Sequence, residues 1–467
     1  MEKRIKVELA IIGGGPGGYV AALRAAQMLR QVVLVEEDKV GGTCTNYGCI
    51  PTKFLLHETQ VFNEAKKNGR ITGNSGLVLD WAAVQKTRQA IVDRLVRGIE
   101  FLLERNRVQL IKGRARLIDP RSLVVETEAG EVSVEPERLI LATGSRAVNL
   151  PGLEADGQKV VTSREVLEVA SPPGRLIIIG AGAIGLEIGS IFSRVGTKVT
   201  ILEILSQPLP GADRQLAERL ARILKRQGLD IKTEMRVEKA AVSASGVRLS
   251  GTCLRTGEVF SLEADLVLLA AGRRANSELV ARLEPDLCDR AGFVRVNEFL
   301  ETAWPGVYAI GDLIGGKLLA HKAMHEGIMA AENAFGAAHT IDQTSIPMAV
   351  FTDPELASVG LCEEEAQERG IKFKVGLFPL QASGRAVAME KPEGLVKIIA
   401  DEEDRVLGAH LLSPAASEMI GEMTLAVKLR LKLEDLARMV HVHPTLAESI
   451  AEASLKALGR PLHTLLE

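Results

Sequence analysis

The chain has 467 residues, 46% of them hydrophobic and 25% charged, with a formal net charge of −3. That length exceeds one ordinary core and predicts about three domains. The near-neutral charge, the scattered basic residues and the 3% aromatic content exclude a surface built for nucleic-acid phosphates or base stacking.

The N-terminal MEKRIKVELAIIGGG has a short apolar run that leads straight into a glycine loop. It reads as a first β-strand, since a signal peptide needs a longer apolar region and a cleavage site. No apolar run reaches the ~18 residues that span a bilayer. The longest candidate, RLIIIGAGAIGLEIGSIF (175–192), is rich in glycine and carries Glu187. The expectation is a soluble, cytoplasmic protein in a reducing compartment, where an exchanging disulfide is favoured over a permanent one.

VELAIIGGGPGGYVAALRAAQ is an apolar strand, then Gly13-x-Gly15-x-x-Gly18, then an alanine-rich helix. The first glycine permits a tight turn, the second lets backbone approach a pyrophosphate, and the third lets helix and strand pack closely. The helix N-terminus then offers unpaired N–H groups to the phosphates. A second strand, QVVLVEE, ends at Glu36, 18 residues past Gly18, where a carboxylate can bond a ribose diol.

Next comes GGTCTNYGCIPTK (41–53), which holds Cys44 and Cys49, two of only five cysteines. Zinc needs four ligands, often as close pairs. Cys253, Cys288 and Cys362 are isolated, and no histidine pairs with Cys44 and Cys49 at close spacing. Residues five apart in a regular helix point about 140° apart and lie about 7.5 Å apart along the axis, too far for a disulfide. Gly48 and Pro51 allow a distorted turn that brings them together, with a helix starting there and running through KFLLHETQVFNEA. A cysteine at a helix N-terminus has a lowered pKa, and the thiolate is the attacking species. An exchanging dithiol is the reading these features favour.

The glycine pattern then recurs. RLIIIGAGAIGLEIGSIFSRVGTKVTILE carries Gly180-x-Gly182-x-x-Gly185 and a strand ending at Glu203, again 18 residues past the last glycine. LILATGS (139–145) closes the first unit with Thr143, Gly144 and Ser145, and DLVLLAAGRR (265–274) closes the second with Gly272. Two Rossmann-type units about 167 residues apart imply two dinucleotides, a tightly held flavin and a diffusible nicotinamide. Glu203 favours a free ribose 2′-hydroxyl, and the following ILSQPLP has no arginine for a 2′-phosphate, so NAD is preferred over NADP. Further on, MTLAVKLRLKLEDLARMV (423–440) reads as one core or interface helix. His321 and His325 read as surface helix residues.

Together with YAIGDL (308–313), LAHKAMHEG (319–327) and HVHPTLAES (441–449), these motifs make the whole chain resemble the pyridine nucleotide–disulfide oxidoreductases. Within that family it is most similar to the dihydrolipoamide dehydrogenases. The resemblance implies FAD and NAD as cofactors, a homodimer, and service in a 2-oxo acid dehydrogenase or glycine-cleavage complex. It implies that Cys49 lies against the flavin as a charge-transfer thiolate and that Cys44 meets the dithiol substrate. His443 would be the general base and Glu448 its orienting carboxylate, with His441 structural. Lys53 would pair with Glu187 near the flavin, Asp312 would bond the ribityl chain, and Ala115 and Ala320 would give backbone contacts. The implied α/β architecture is an FAD-binding domain (1–150 and 270–345), an inserted NAD-binding domain (151–269) and an α+β dimerisation domain (346–467). In the family His443 of one subunit completes the site of the other.

Two alternatives stay open. One is another disulfide reductase of the same family, acting on a glutathione-like disulfide or on mercuric ion. Glu203 and the cysteine-free tail GRPLHTLLE count against these. The other is a redox-silent flavoprotein scaffold, which would not need the dithiol, base and acid. Tyr47 and Ala447 depart from the usual lipoamide pattern, where a small aliphatic residue and a serine are common.

Overall fold

The computed structural model describes residues 3–466. It is an α/β structure of two doubly wound units and an α+β C-terminal part. In the first unit, strands Gln109–Lys112, Val32–Glu36, Lys3–Ile12, Gly130–Leu141 and Val307–Ala309 lie side by side and parallel. The register Ile12↔Leu141 and Leu139↔Val307 brings three strand ends to one edge, where the first glycine loop sits. Strands Ser122–Thr127 and Arg114–Asp119 extend the sheet antiparallel. Leu9, Ile11, Leu34, Leu139 and Ile140 are fully buried, as expected for strands covered on both faces.

The second unit repeats the parallel plan with Leu229–Lys232, Lys198–Leu202, Arg175–Ile179, Leu266–Leu269 and Val160–Val161. A three-stranded antiparallel sheet, Met235–Ser243, Gly246–Cys253 and Val259–Ala264, stands beside it. The C-terminal part is a five-stranded antiparallel sheet whose central strands Glu355–Gly360, Leu395–Asp401 and Val406–Ser413 bury alternate faces under helices Ala416–Leu429 and Glu448–Ala457.

The segment 423–440 is two helices, not one. Ala416–Leu429 ends at Arg430, which adopts a left-handed φ of 51°, and Leu433–Arg438 starts after it with Asp435 accepting from the Lys432 N–H at 2.9 Å. The amphipathic pattern runs through the break, because both pieces bury apolar residues in the same core. Periodicity alone therefore hides it.

A buried ion pair joins the second unit to the C-terminal sheet. Lys397 Nζ lies 2.6 Å from Asp213 Oδ2, with side chains 2% and 0% exposed, and Asp213 Oδ1 also caps the helix Arg214–Arg226 through the Leu216 N–H. Removing one partner of such a pair strands the other charge. Lys397→Met is expected to lower unfolding stability by about 3–5 kcal/mol. Urea denaturation of the FAD-loaded protein checks this, and an unchanged midpoint would show that the pair is not needed.

Candidate active site

Each glycine loop is built the same way, down to single atoms. Gly13 has φ 101°, and a Cβ there would sit 2.3 Å from the Ala142 carbonyl oxygen. Gly180 has φ 108° and the same distance to Ala270 O. A Cβ on Gly18 would be 1.8 Å from Gly13 O, and one on Gly185 2.0 Å from Gly180 O. The middle glycines differ: around a Cβ on Gly182 there is nothing within 4 Å, and around Gly15 only Gly42 Cα at 3.9 Å. Those open spaces are where a pyrophosphate would approach backbone, at the start of helices Pro16–Gln27 and Ala183–Arg194. The acids match too. Glu36 accepts from the Gly14 N–H (2.6 Å) and Asp38 N–H (2.8 Å), and Glu203 from the Ala181 N–H (2.8 Å) and Leu205 N–H (2.9 Å). Each carboxylate thus fixes its own loop.

The cysteines lie on two helices, Gly42–Tyr47 and Cys49–Lys67, separated by Gly48 at φ −140°, ψ −105°. This break is the distorted turn the spacing required. The pair is docked on the first loop through backbone: Gly41 N–H donates to Gly14 O at 2.8 Å, and a Cβ on Gly42 would meet Gly15 Cα at 2.7 Å. Only glycines permit that approach. Leu55 and Leu56 of the second helix are buried in the core that includes Leu186 and Phe192 of the next unit. Burying each such leucine contributes about 1.5–3 kcal/mol, which anchors the helix.

Both cysteines are free thiols. The Cys44 thiol bonds toward the Cys49 sulfur, and this lowers Cys49 to about 7 against the opposing effect of burial, with help from the Lys53 charge. The same bond, with burial, pushes Cys44 far up.

Lys53 Nζ is 2.8 Å from Glu187 Oε2 and 4.3 Å from the centre of the Phe351 ring, and the Phe351 N–H donates to Glu187 Oε1 at 3.0 Å. Glu187 is 4% exposed. Three parts of the fold meet here, since Phe351 follows the first strand of the C-terminal sheet. Phe351 carries no motif, and its place could not be read from the sequence.

At the strand ends, Asp312 accepts from the Ser145 hydroxyl, Arg273 Nε donates to Ser145 Oγ at 2.7 Å, and Arg273 Nε lies 3.6 Å from Asp312. Thr143 Oγ1 donates to Asn276 O at 2.8 Å, and Asn276 Nδ2 returns to Thr143 O at 2.9 Å. Arg273 and Asn276 therefore organise the TGS turn beside Gly144 and Gly272. Arg273 lies in DLVLLAAGRR and Asn276 two residues past its end, and the sequence assigned neither a role. Ala115 is in strand Arg114–Asp119, three residues past Lys112, the partner of Glu36. Ala320 starts the helix Ala320–Asn333, which packs on Pro16–Gln27 so closely that a Cβ on Gly327 would meet Gly17 O at 2.3 Å. That helix also buries a Lys322–Glu326 ion pair at 2.8 Å, whose Glu326 holds the Gly311 N–H at 2.8 Å next to Asp312.

His443 Nδ1 lies 2.8 Å from Glu448 Oε1, and Glu448 Oε2 accepts from the Thr445 N–H at 2.8 Å. The His443 side chain is 79% exposed. No hydrogen bond joins it to either cysteine among the described residues of one chain. His441 is buried beside Glu422 at 3.2 Å, and His321 contacts Pro347 O at 2.7 Å. Tyr47 donates to Asp38 Oδ2 at 2.9 Å beneath the Arg164 guanidinium, 3.8 Å from the ring centre, and Ala447 precedes the helix that opens with Glu448. Among the described residues no three His, Cys, Asp or Glu side chains group as metal ligands, and no helix is long and apolar enough to cross a membrane.

Paired glycine loops with a cysteine pair seated on the first of them define the flavoprotein disulfide reductase architecture. Residues 7–338 match the family described as pyridine nucleotide-disulphide oxidoreductase, and 346–454 match that family's dimerisation domain. The chain belongs to this family and is an FAD- and NAD-dependent oxidoreductase. It is 40% identical to mitochondrial dihydrolipoyl dehydrogenase of Pisum sativum (98% of this chain, 92% of that one) and 37% identical to dihydrolipoyl dehydrogenase of Bacillus subtilis (98% and 99%). A solved structure of the HOCl-induced flavoprotein disulfide reductase RclA from Escherichia coli, a Cu(II) complex, superposes with TM-score 0.85 at 29% identity, covering 97% of this chain and 99% of that one.

Proposed function

We propose that the chain oxidises dihydrolipoyl dithiols to the cyclic disulfide with reduction of NAD+. The observation that carries this reading is the seating of the Cys44–Cys49 segment on the first glycine loop through Gly41 and Gly42, with Lys53 one turn past Cys49 on the same helix. The full-length likeness to dihydrolipoyl dehydrogenases supports the substrate. Residues 1–150 and 270–345 form the FAD-binding domain, 151–269 the NAD-binding domain and 346–467 the dimer interface. Gly13, Gly15, Gly18, Glu36, Thr143, Gly144, Ser145, Asp312, Ala115 and Ala320 serve FAD. Gly180, Gly182, Gly185, Glu203 and Gly272 serve NAD.

His443 comes from the partner chain. Its exposure beside Val440 and Val442, 94% and 76% exposed, supports a face that a second copy covers. With Nδ1 turned to Glu448, Nε2 is left as the base. It takes a proton from one substrate thiol. That sulfur attacks Cys44 Sγ, the Cys44–Cys49 bond breaks, and Cys49 leaves as thiolate. The second substrate sulfur then displaces Cys44, which takes the first proton from His443, and His443 accepts the second thiol's proton in its place. FAD, held by the residues named above, would supply the two-electron relay between the reduced cysteines and NAD+. A dithiol held in one pocket makes the second displacement intramolecular.

Dihydrolipoamide-dependent NADH formation tests this reading, with glutathione disulfide reduction as the comparison. Turnover confined to glutathione disulfide would move the chain to the second reading, another disulfide reductase of the family, which the RclA likeness and the Tyr47–Asp38–Arg164 cluster favour.

Two more expectations belong to this site. Lys53→Met removes a cation that lowers Cys49, so in the reduced protein the pH at which the thiolate absorbance appears should move upward from about 7. A midpoint that stays put would remove Lys53 from the thiolate's control. Glu203→Ala with Ile204→Arg should raise the NADP/NAD preference in kcat/KM by about tenfold or more (~1.4 kcal/mol). Ile204 is 49% exposed and can carry the guanidinium. Unchanged preference would show that Glu203 does not read the ribose.

A further inference from the structure

A second charged cavity lies at the far end of the two helices that hold Lys53 and Glu187. Its volume is about 210 Å³, and its walls include Asn63, Lys67, Ser193, Arg194, Gln227 and Asp353. Arg194 closes the helix Ala183–Arg194, and Asn63 and Lys67 lie in the last turns of Cys49–Lys67. From Cys49 to Asn63 the helix rises about 21 Å, so the cavity stands clear of the dithiol.

The Arg194 guanidinium is only half engaged. Nη1 donates to Leu56 O at 3.1 Å, while Nη2 is buried with no hydrogen-bond partner among the described residues. A buried, unpaired charged N–H is costly. Asp353 and Glu64 attract the guanidinium but neither bonds to Nη2; both pair instead with Lys391 Nζ, Glu64 at 2.6 Å and Asp353 at 3.2 Å. Lys67 has no ion-pair partner among the described residues. Among the lining side chains two are cationic, Arg194 and Lys67, against the carboxylate of Asp353, which pairs with Lys391. The side chains of Asn63 and Ser193 are also uncommitted among the described residues. Gln227 Nε2 is spent on Asp353 O at 2.6 Å. What the cavity lacks is one negative charge with several acceptor oxygens. Burial lowers the pKa of Arg194, and the charges of Asp353 and Glu64 pull it the other way without overcoming burial.

We propose that this cavity binds one small oxyanion per chain, of the phosphate or carboxylate class, on Arg194 Nη2 with Asn63, Ser193 and Lys67 around it. The anion ties the C-terminal ends of the two helices whose other turns carry the Lys53–Glu187 pair. It therefore stabilises the junction of all three parts of the fold without entering the redox site.

The test uses the FAD-loaded dimer with saturating NAD+, so that both glycine loops are filled. Inorganic phosphate and acetate are titrated separately by calorimetry, against chloride at matched ionic strength. The expected result is saturable binding near one per chain for at least one of them. Affinity should fall at least about tenfold in Arg194→Met, which removes a charge-assisted donor. Asn63→Asp, at the half-exposed rim, should weaken binding by repulsion with the fold intact, and it keeps the test decisive if Arg194→Met does not fold. Phosphate-only binding would assign a phosphate source, and acetate binding a carboxylate source. No saturable binding of either anion, or binding that Asn63→Asp leaves unchanged, would overturn the proposal.

Discussion

Cys49→Ser is expected to reduce dithiol turnover to background while leaving FAD bound at one per chain. The serine hydroxyl cannot form the disulfide and is a far poorer leaving group, so both the attack on Cys44 and the passage of electrons to FAD fail. The contacts that seat this segment on the first glycine loop are backbone contacts of Gly41 and Gly42, which the substitution does not touch. Buried Leu55 and Leu56 still hold the helix. Anaerobic turnover and flavin content, measured on one preparation, check both halves. Loss of FAD from the variant would show that the dithiol and cofactor sites are not separable in this way.

His443→Gln should slow the dithiol half-reaction by about 10²–10⁴-fold, the range for a positioned general base. NADH oxidation by an artificial electron acceptor should be spared, because that path bypasses the substrate thiol. The sharing of His443 between chains gives a stricter result. A heterodimer of one Cys49→Ser chain and one His443→Gln chain should keep about half the activity, since one of its two sites combines intact cysteines with an intact histidine. If His443 served its own chain, both sites would carry a lesion and the heterodimer would be inactive.

Much of this site was legible because its motifs encode backbone demands. Gly13, Gly18, Gly180 and Gly185 stand where a Cβ would strike a carbonyl, so the requirement for glycine is local and repeats with the strand–loop–helix pattern. Gly48 between the cysteines likewise announced a break that the structure contains. Side chains whose partners are distant in sequence left no such trace. Phe351 reaches Lys53 and Glu187, Arg273 reaches Ser145, and Lys397 reaches Asp213 only through the tertiary fold. The break at Arg430 was hidden for another reason: both helices bury apolar residues in one core, so the apolar period continues across the turn. Glu36 and Glu203 were placed by spacing as ribose readers. The structure adds that each also fixes its own glycine loop, a job the pattern did not suggest.

The most direct test of the account is an anaerobic absorbance titration of the yellow, FAD-loaded protein with dihydrolipoamide, followed by NAD+. The account predicts a long-wavelength thiolate–flavin band that grows with dihydrolipoamide and disappears as NADH forms. A flavin spectrum that ignores dihydrolipoamide but responds to NADH would contradict the substrate assignment, and the search would turn to other disulfides.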